Sequence, residues 1–119
     1  MSVWMLLFLL LAGHALCDYP LQSDFMAREK TPLLPTDPAR IQPGLKSDLL
    51  WFWVLSAHAL VHGGCVALLT GSAFLGLAET LSHWFIDILK CIGKTTLTTD
   101  QLLHVGCKLL WLGCWAAGR

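Results

Sequence analysis

Apolar residues fill four blocks of this chain, and polar residues interrupt each block at a spacing of four. The blocks are 1–18, 48–70, 73–92 and 99–117. The interruptions are His14 with Asp18, His58 with His62, His83 with Asp87, and Asp100 with His104. Residues four apart lie one turn above the other on the same face of an α-helix. The pattern therefore predicts an all-α fold, a four-helix transmembrane bundle in one integral membrane domain spanning 1–119. Each helix presents one polar pair to a shared centre, and all five histidines belong to such pairs.

The first block begins at Met1 and competes with a signal peptide. No Lys or Arg precedes it and no small-x-small cleavage site follows it, so it reads as a retained span. Seventeen residues reach about 25 Å as a helix, enough for a slightly thin bilayer. Residues 19–47 change character: all five prolines and much of the charge fall there, which predicts an irregular connection. A short helix over 23–30 is expected inside it, capped by Ser23, and Ser47 is the expected cap of the second span. Thr70-Gly71-Ser72 predicts a tight turn. Thr98-x-x-Gln101 has the form of a capping box opening the fourth span. Gly63-Gly64, with Ala73, Gly76, Ala78 and Ser82 on the next helix, predicts close helix approach.

Composition agrees with a membrane setting. The chain is 55% hydrophobic and only 13% charged, too apolar for an ordinary soluble domain of this length. No basic segment is long enough to predict nucleic-acid binding. The five cysteines are odd in number and form no C-x-x-C, so they read as small core hydrophobes. Arg28, Lys30, Arg40, Lys46, Lys90 and Lys94 all fall in or beside the 19–47 and 93–98 loops, which marks that side as cytoplasmic. Both termini are then outside. Trp51, Trp53 and Trp84 are expected at the inner boundary, and Trp4, Trp111 and Trp115 at the outer one.

Ionisable residues inside a membrane are expensive and usually functional. His and Asp at i, i+4 can reach one metal ion, and mixed nitrogen and oxygen ligands suit Zn, Mn or Fe. The candidate ligands are His14, Asp18, His58, His62, His83, Asp87, Asp100 and His104. The expected function is a metal centre near the cytoplasmic face, working as a metal-dependent hydrolase, with Asp24 or Asp87 as general base. Lys30, Lys90 and Lys94 would then attract an anionic lipid-like substrate. The rival reading is a non-enzymatic proton or ion path, carrier or phage-type membrane modulator whose pairs are structural contacts. Glu79 and Lys108 continue the polar faces of their helices one turn further from the loops. They are expected to meet as an interhelical ion pair.

Several pieces of the chain carry a resemblance: HALCDYPLQSDFMAREK at 14–30, the H-x-x-x-H of His58 and His62, HWFIDILK at 83–90, and DQLLH at 100–104. Together they make the chain similar to a family of small bacterial and phage multi-pass membrane proteins known as domain of unknown function 3307. The resemblance implies an integral protein of the bacterial inner membrane. It carries no established reaction. The pattern also loosely resembles membrane-embedded metal-dependent hydrolases.

Overall fold

The computed structural model describes residues 1–33 and 49–119, and these contain five helices and no strand. The helices are α1 (Val3–Asp18), α2 (Asp24–Glu29), α3 (Leu50–Thr70), α4 (Ala73–Cys91) and α5 (Leu97–Ala117). Ser47 as a cap, and the loop residues Arg40 and Lys46, fall outside the described residues.

Local chemistry sets most of the boundaries. Ser2, Ser23 and Ser72 each stand in extended backbone before a helix, and their hydroxyls accept from Met5, Met26 and Leu75 N–H. Gly71 ends α3 with φ of 69°, a left-handed conformation that glycine adopts without penalty. The start of α5 differs from expectation. Thr96 is the cap, accepting from Thr99 N–H at 3.2 Å, so the helix begins at Leu97 and Gln101 is free for other work.

Around the bundle, α1 packs on α3, α3 on α4, α4 on α5, and α5 back on α1, with α2 against α3. Neighbours run antiparallel, and Arg119 donates to the Met1 carbonyl at 3.3 Å, so the chain ends meet at one end of the bundle. That end is apolar inside, filled by Leu6, Leu10, Val66, Leu75 and Trp111. The other half is polar inside.

The interior is polar to an unusual degree. Among the described residues, twelve buried side chains are polar or charged and nine are hydrophobic. Conversely, Phe8, Leu68, Phe74 and Phe85 are each at least 65% exposed. By length and composition one helix, Leu50–Thr70, can cross a membrane, while α1 is apolar but shorter. The charges of α4 (Glu79, Asp87, Lys90) and of α5 (Asp100, Lys108) lower the hydropathy of the other two long helices. The all-helical expectation therefore holds, with one of the four expected spans long and apolar enough by itself to cross a membrane.

The closest backbone approach joins α3 to α4. A Cβ built on Gly63 would stand 2.5 Å from the Gly76 carbonyl oxygen, and one on Gly76 would stand 2.7 Å from that of Gly63. Gly64, one position on, faces open space. Gly76→Ala should therefore destabilise the protein by about 1–3 kcal/mol through overpacking. Gly64→Ala should be neutral or stabilising by up to about 1 kcal/mol, since alanine favours helix over glycine. Thermal unfolding of the two variants checks this; equal melting temperatures would contradict the close packing.

Candidate metal centre

The four-residue spacing does the assembly. Four antiparallel helices each turn a polar stripe inward: His14 and Asp18 on α1, His58 and His62 on α3, Glu79, His83 and Asp87 on α4, Asp100, His104 and Lys108 on α5. All ten are buried. The five imidazoles form a continuous group. His62 stacks on His83 with centroids 3.6 Å apart, His83 on His104 at 4.1 Å, His14 lies 4.9 Å from His104, and His58 lies 4.8 Å from His62.

Asp18 is the focus of this group. Its Oδ1 lies 3.1 Å from His62 Nε2, 3.3 Å from His58 Nε2 and 3.9 Å from His83 Nε2. Its Oδ2 faces another way, 3.4 Å from His14 Nε2 and accepting from Gln101 Nε2 at 2.8 Å. Asp18, His58, His62 and His83 each offer one ligand atom within 4.8 Å of the others, as do His14, His83 and His104. For metal–ligand bonds of 2.0–2.1 Å, tetrahedral ligand atoms stand about 3.4 Å apart, close to the spacings around Oδ1. Nε2 of His58, His62 and His83 are all buried without a hydrogen-bond partner. Buried polar atoms are rarely left so. The donor set fits a divalent ion of the Zn, Mn or Fe type.

The surrounding charges separate Asp18 from the other inward carboxylates. Asp87 is held by two ammonium groups, Lys30 Nζ at 2.5 Å and Lys90 Nζ at 2.7 Å. Lys90 also reaches Asp100 at 3.2 Å. Glu79 receives Lys108 Nζ at 2.5 Å and the Trp111 indole N–H at 2.6 Å. No ammonium or guanidinium group among the described residues reaches Asp18. Its neighbours among the described residues are imidazoles and the Gln101 amide, none of them a permanent cation.

Glu79 does more than neutralise Lys108. Its Oε1 lies 3.5 Å from His83 Nδ1, which leaves His83 Nε2 turned toward Asp18. A carboxylate behind a histidine in this way fixes the ring's orientation and raises its basicity as a ligand.

All eight sequence-predicted ligands lie in or beside the cluster, but their roles differ. Asp87 contacts His58 Nε2 only at 3.7 Å, and both its oxygens are engaged by lysines. It is placed as a counterion, poorly suited to take a proton as a general base. Asp24, the other expected base, is exposed at the first position of α2, away from the cluster. Lys30 and Lys90, expected to face an anionic substrate, reach inward to Asp87 and Asp100, and Lys94 is exposed. Trp111 is buried against Glu79 and is not an outer boundary anchor.

Three contributors were missed from the sequence. Trp111 follows Lys108 by three residues, so its place on the same face was readable. Gln101 follows Asp100 directly and bridges it to Asp18 at 3.1 and 2.8 Å, an interhelical role no local spacing announces. Lys30 meets Asp87 across 57 residues of chain, also without local signal.

The expected Glu79–Lys108 pair is present, and it makes an asymmetric prediction. Losing Lys108 leaves Glu79 with Trp111 and His83, whereas losing Glu79 strands a buried ammonium and an indole. Glu79→Ala should destabilise by roughly 3–5 kcal/mol, Lys108→Ala by less, and the two alanine substitutions together by less than the sum. A thermal or denaturant double-mutant cycle measures this, and additive effects would contradict coupling.

No curated protein and no solved structure matches the chain. The family described as "Protein of unknown function (DUF3307)" matches residues 6–115, nearly the whole length, and the chain belongs to that family.

Proposed function

We propose that this protein is an integral membrane four-helix bundle that holds a divalent transition metal at Asp18, His58, His62 and His83. One observation carries the metal reading: three buried imidazole nitrogens without hydrogen-bond partners converge on one oxygen of Asp18, which no ammonium or guanidinium group among the described residues reaches. A divalent ion there would give Asp18 its counterion and the imidazoles their acceptor-side partner. When bound, such an ion supplies Lewis-acid chemistry of the kind hydrolases use. In this reading His58, His62, His83 and Asp18 hold it, Glu79 orients His83, and Lys30 and Lys90 keep Asp87 and Asp100 charge-balanced.

The membrane reading rests on the inverted distribution of polarity. Charges lie inside and aromatic and aliphatic side chains outside, on helices of 16 to 21 residues. At 1.5 Å per residue the three longer ones reach about 28–31 Å, the thickness of a bilayer's hydrocarbon core. The charges of α4 and α5 that depress hydropathy are turned into the bundle and paired, so lipid would meet mainly apolar surface. Basic residues at the polar end support placing that end in the cytoplasm, with both termini outside.

Two measurements test these readings separately. The membrane-extracted protein, purified without chelator, should carry about one transition-metal ion per chain or more, and His62→Ala should lose most of it, since losing even a residue that only orients a ligand typically costs roughly 10–100-fold in affinity. A protein that stays metal-free even after addition of Zn²⁺, Mn²⁺ or Fe²⁺ would leave the cluster as a structural or proton-relay assembly. Ser23→Cys or Ala27→Cys in a cysteine-free background should resist impermeant thiol reagents in intact cells. Labelling from outside would reverse the orientation.

A further inference from the structure

Seven potential ligands from four helices, Asp100 included, are more than one tetrahedral ion needs, and Asp18 stands between two groups of them. Oδ1 faces His58, His62 and His83, while Oδ2 faces His14. A carboxylate chelating one ion through both oxygens would gather its co-ligands on one side. Here Oδ1 has three imidazoles, while Oδ2 has His14 and the Gln101 amide, whose Oε1 also lies 3.3 Å from His14 Nε2.

The Oδ2 side has the makings of a second site. His104 is 1% exposed, and neither of its ring nitrogens has a hydrogen-bond partner. His14 Nδ1 is likewise buried and unpartnered. Asp100 Oδ1 lies 3.6 Å from His104 Nε2 and accepts no hydrogen bond, although Asp100 Oδ2 is held by Lys90 and Gln101. His83 lies between the two groups, within 4.8 Å of both by its ligand atoms. Its Nδ1 faces Glu79, so it has one nitrogen to give and can serve one ion at a time.

We propose that the centre is dinuclear, with Asp18 bridging one divalent ion at His58, His62 and His83 to a second at His14 and His104, with Asp100 completing the second site. The proposal rests on the metal reading above and extends it. Separations of about 3.5–4 Å are usual for paired ions that act on one oxygen or phosphoryl substrate. The second ion binds more weakly. The first ion already neutralises Asp18, and Asp100 shares its charge with Lys90, so the second meets less uncompensated negative charge.

The test uses full-length protein in detergent, stripped with chelator and titrated with Mn²⁺ alone, with elemental analysis and electron paramagnetic resonance as readouts. Two ions per chain are expected, the second at least roughly tenfold weaker. At saturation the single-ion signal should give way to that of an exchange-coupled pair. His104→Ala and, separately, His14→Gln should each retain one ion with an uncoupled signal, with circular dichroism confirming the helical fold. One ion per saturated wild-type chain would overturn the dinuclear proposal and leave the single-metal reading standing. So would two ions with no coupling, since Asp18 would not bridge them, or both variants still binding two. Binding of no ion by the folded wild type would overturn both readings.

Discussion

An ammonium group buried between helices must meet a carboxylate, and the Lys108–Glu79 contact is where this bundle commits its geometry. The pair joins α4 to α5 at the boundary between the apolar and polar halves of the interior. Glu79 takes Trp111 on one side and His83 on the other. The aromatic side chain that closes the apolar half and the imidazole that enters the polar half are therefore set by the same carboxylate. Losing it would release a charge into a low-dielectric interior, where an unpaired ion costs far more than at a surface. The histidine cluster can be as dense as it is because this floor holds both helices in register.

The same demand for partners orders the opposite end. Lys30, arriving from the short α2, and Lys90, from the last turn of α4, close on Asp87, and Lys90 extends to Asp100. Between these two ion-paired layers lie five imidazoles and Asp18. Among the described residues no ammonium or guanidinium group reaches Asp18 in this layer. A proton or a metal ion would bring positive charge there, and the ring nitrogens around Oδ1 are spaced so that several of them could share one ion.

Helical period explains why so much of this was legible in the sequence. Glu79, His83 and Asp87, and Asp100, His104 and Lys108, repeat at four, so their common face and mutual approach follow from helix geometry alone. The Glu79–Lys108 contact follows too, once α4 and α5 are joined by a short loop. What stayed hidden depends on rotation or on distant chain. Gln101 sits one position off the stripe and still reaches Asp18 across the α1–α5 contact. Lys30 looked like a cytoplasmic surface charge because proline-rich surroundings usually are solvated, yet α2 carries it inward. Thr98 matched a cap motif that Thr96 fulfils. A window average of hydropathy also does not register that the charges of α4 and α5 face partners inside the bundle.

That last point bears on how such a chain assembles. A helix carrying Glu79 or Lys108 alone is a poor membrane segment, since the cost of the charge falls while its partner is absent. The two become acceptable together, as a hairpin in which the ion pair is already made. The five-residue connection Ile92 to Thr96 between α4 and α5 permits that pairing before α1 and α3 close the bundle. By contrast α3 is apolar enough to cross without help, and its backbone contact with α4 at Gly63 and Gly76 needs no charge. The polar stripes of α1 and α3, His14, Asp18, His58 and His62, hold no lysine or arginine and a single carboxylate. Among the described residues the paired ammonium groups come from the C-terminal end of α2 and from α4 and α5, and the α1 carboxylate is left to the imidazoles and the Gln101 amide.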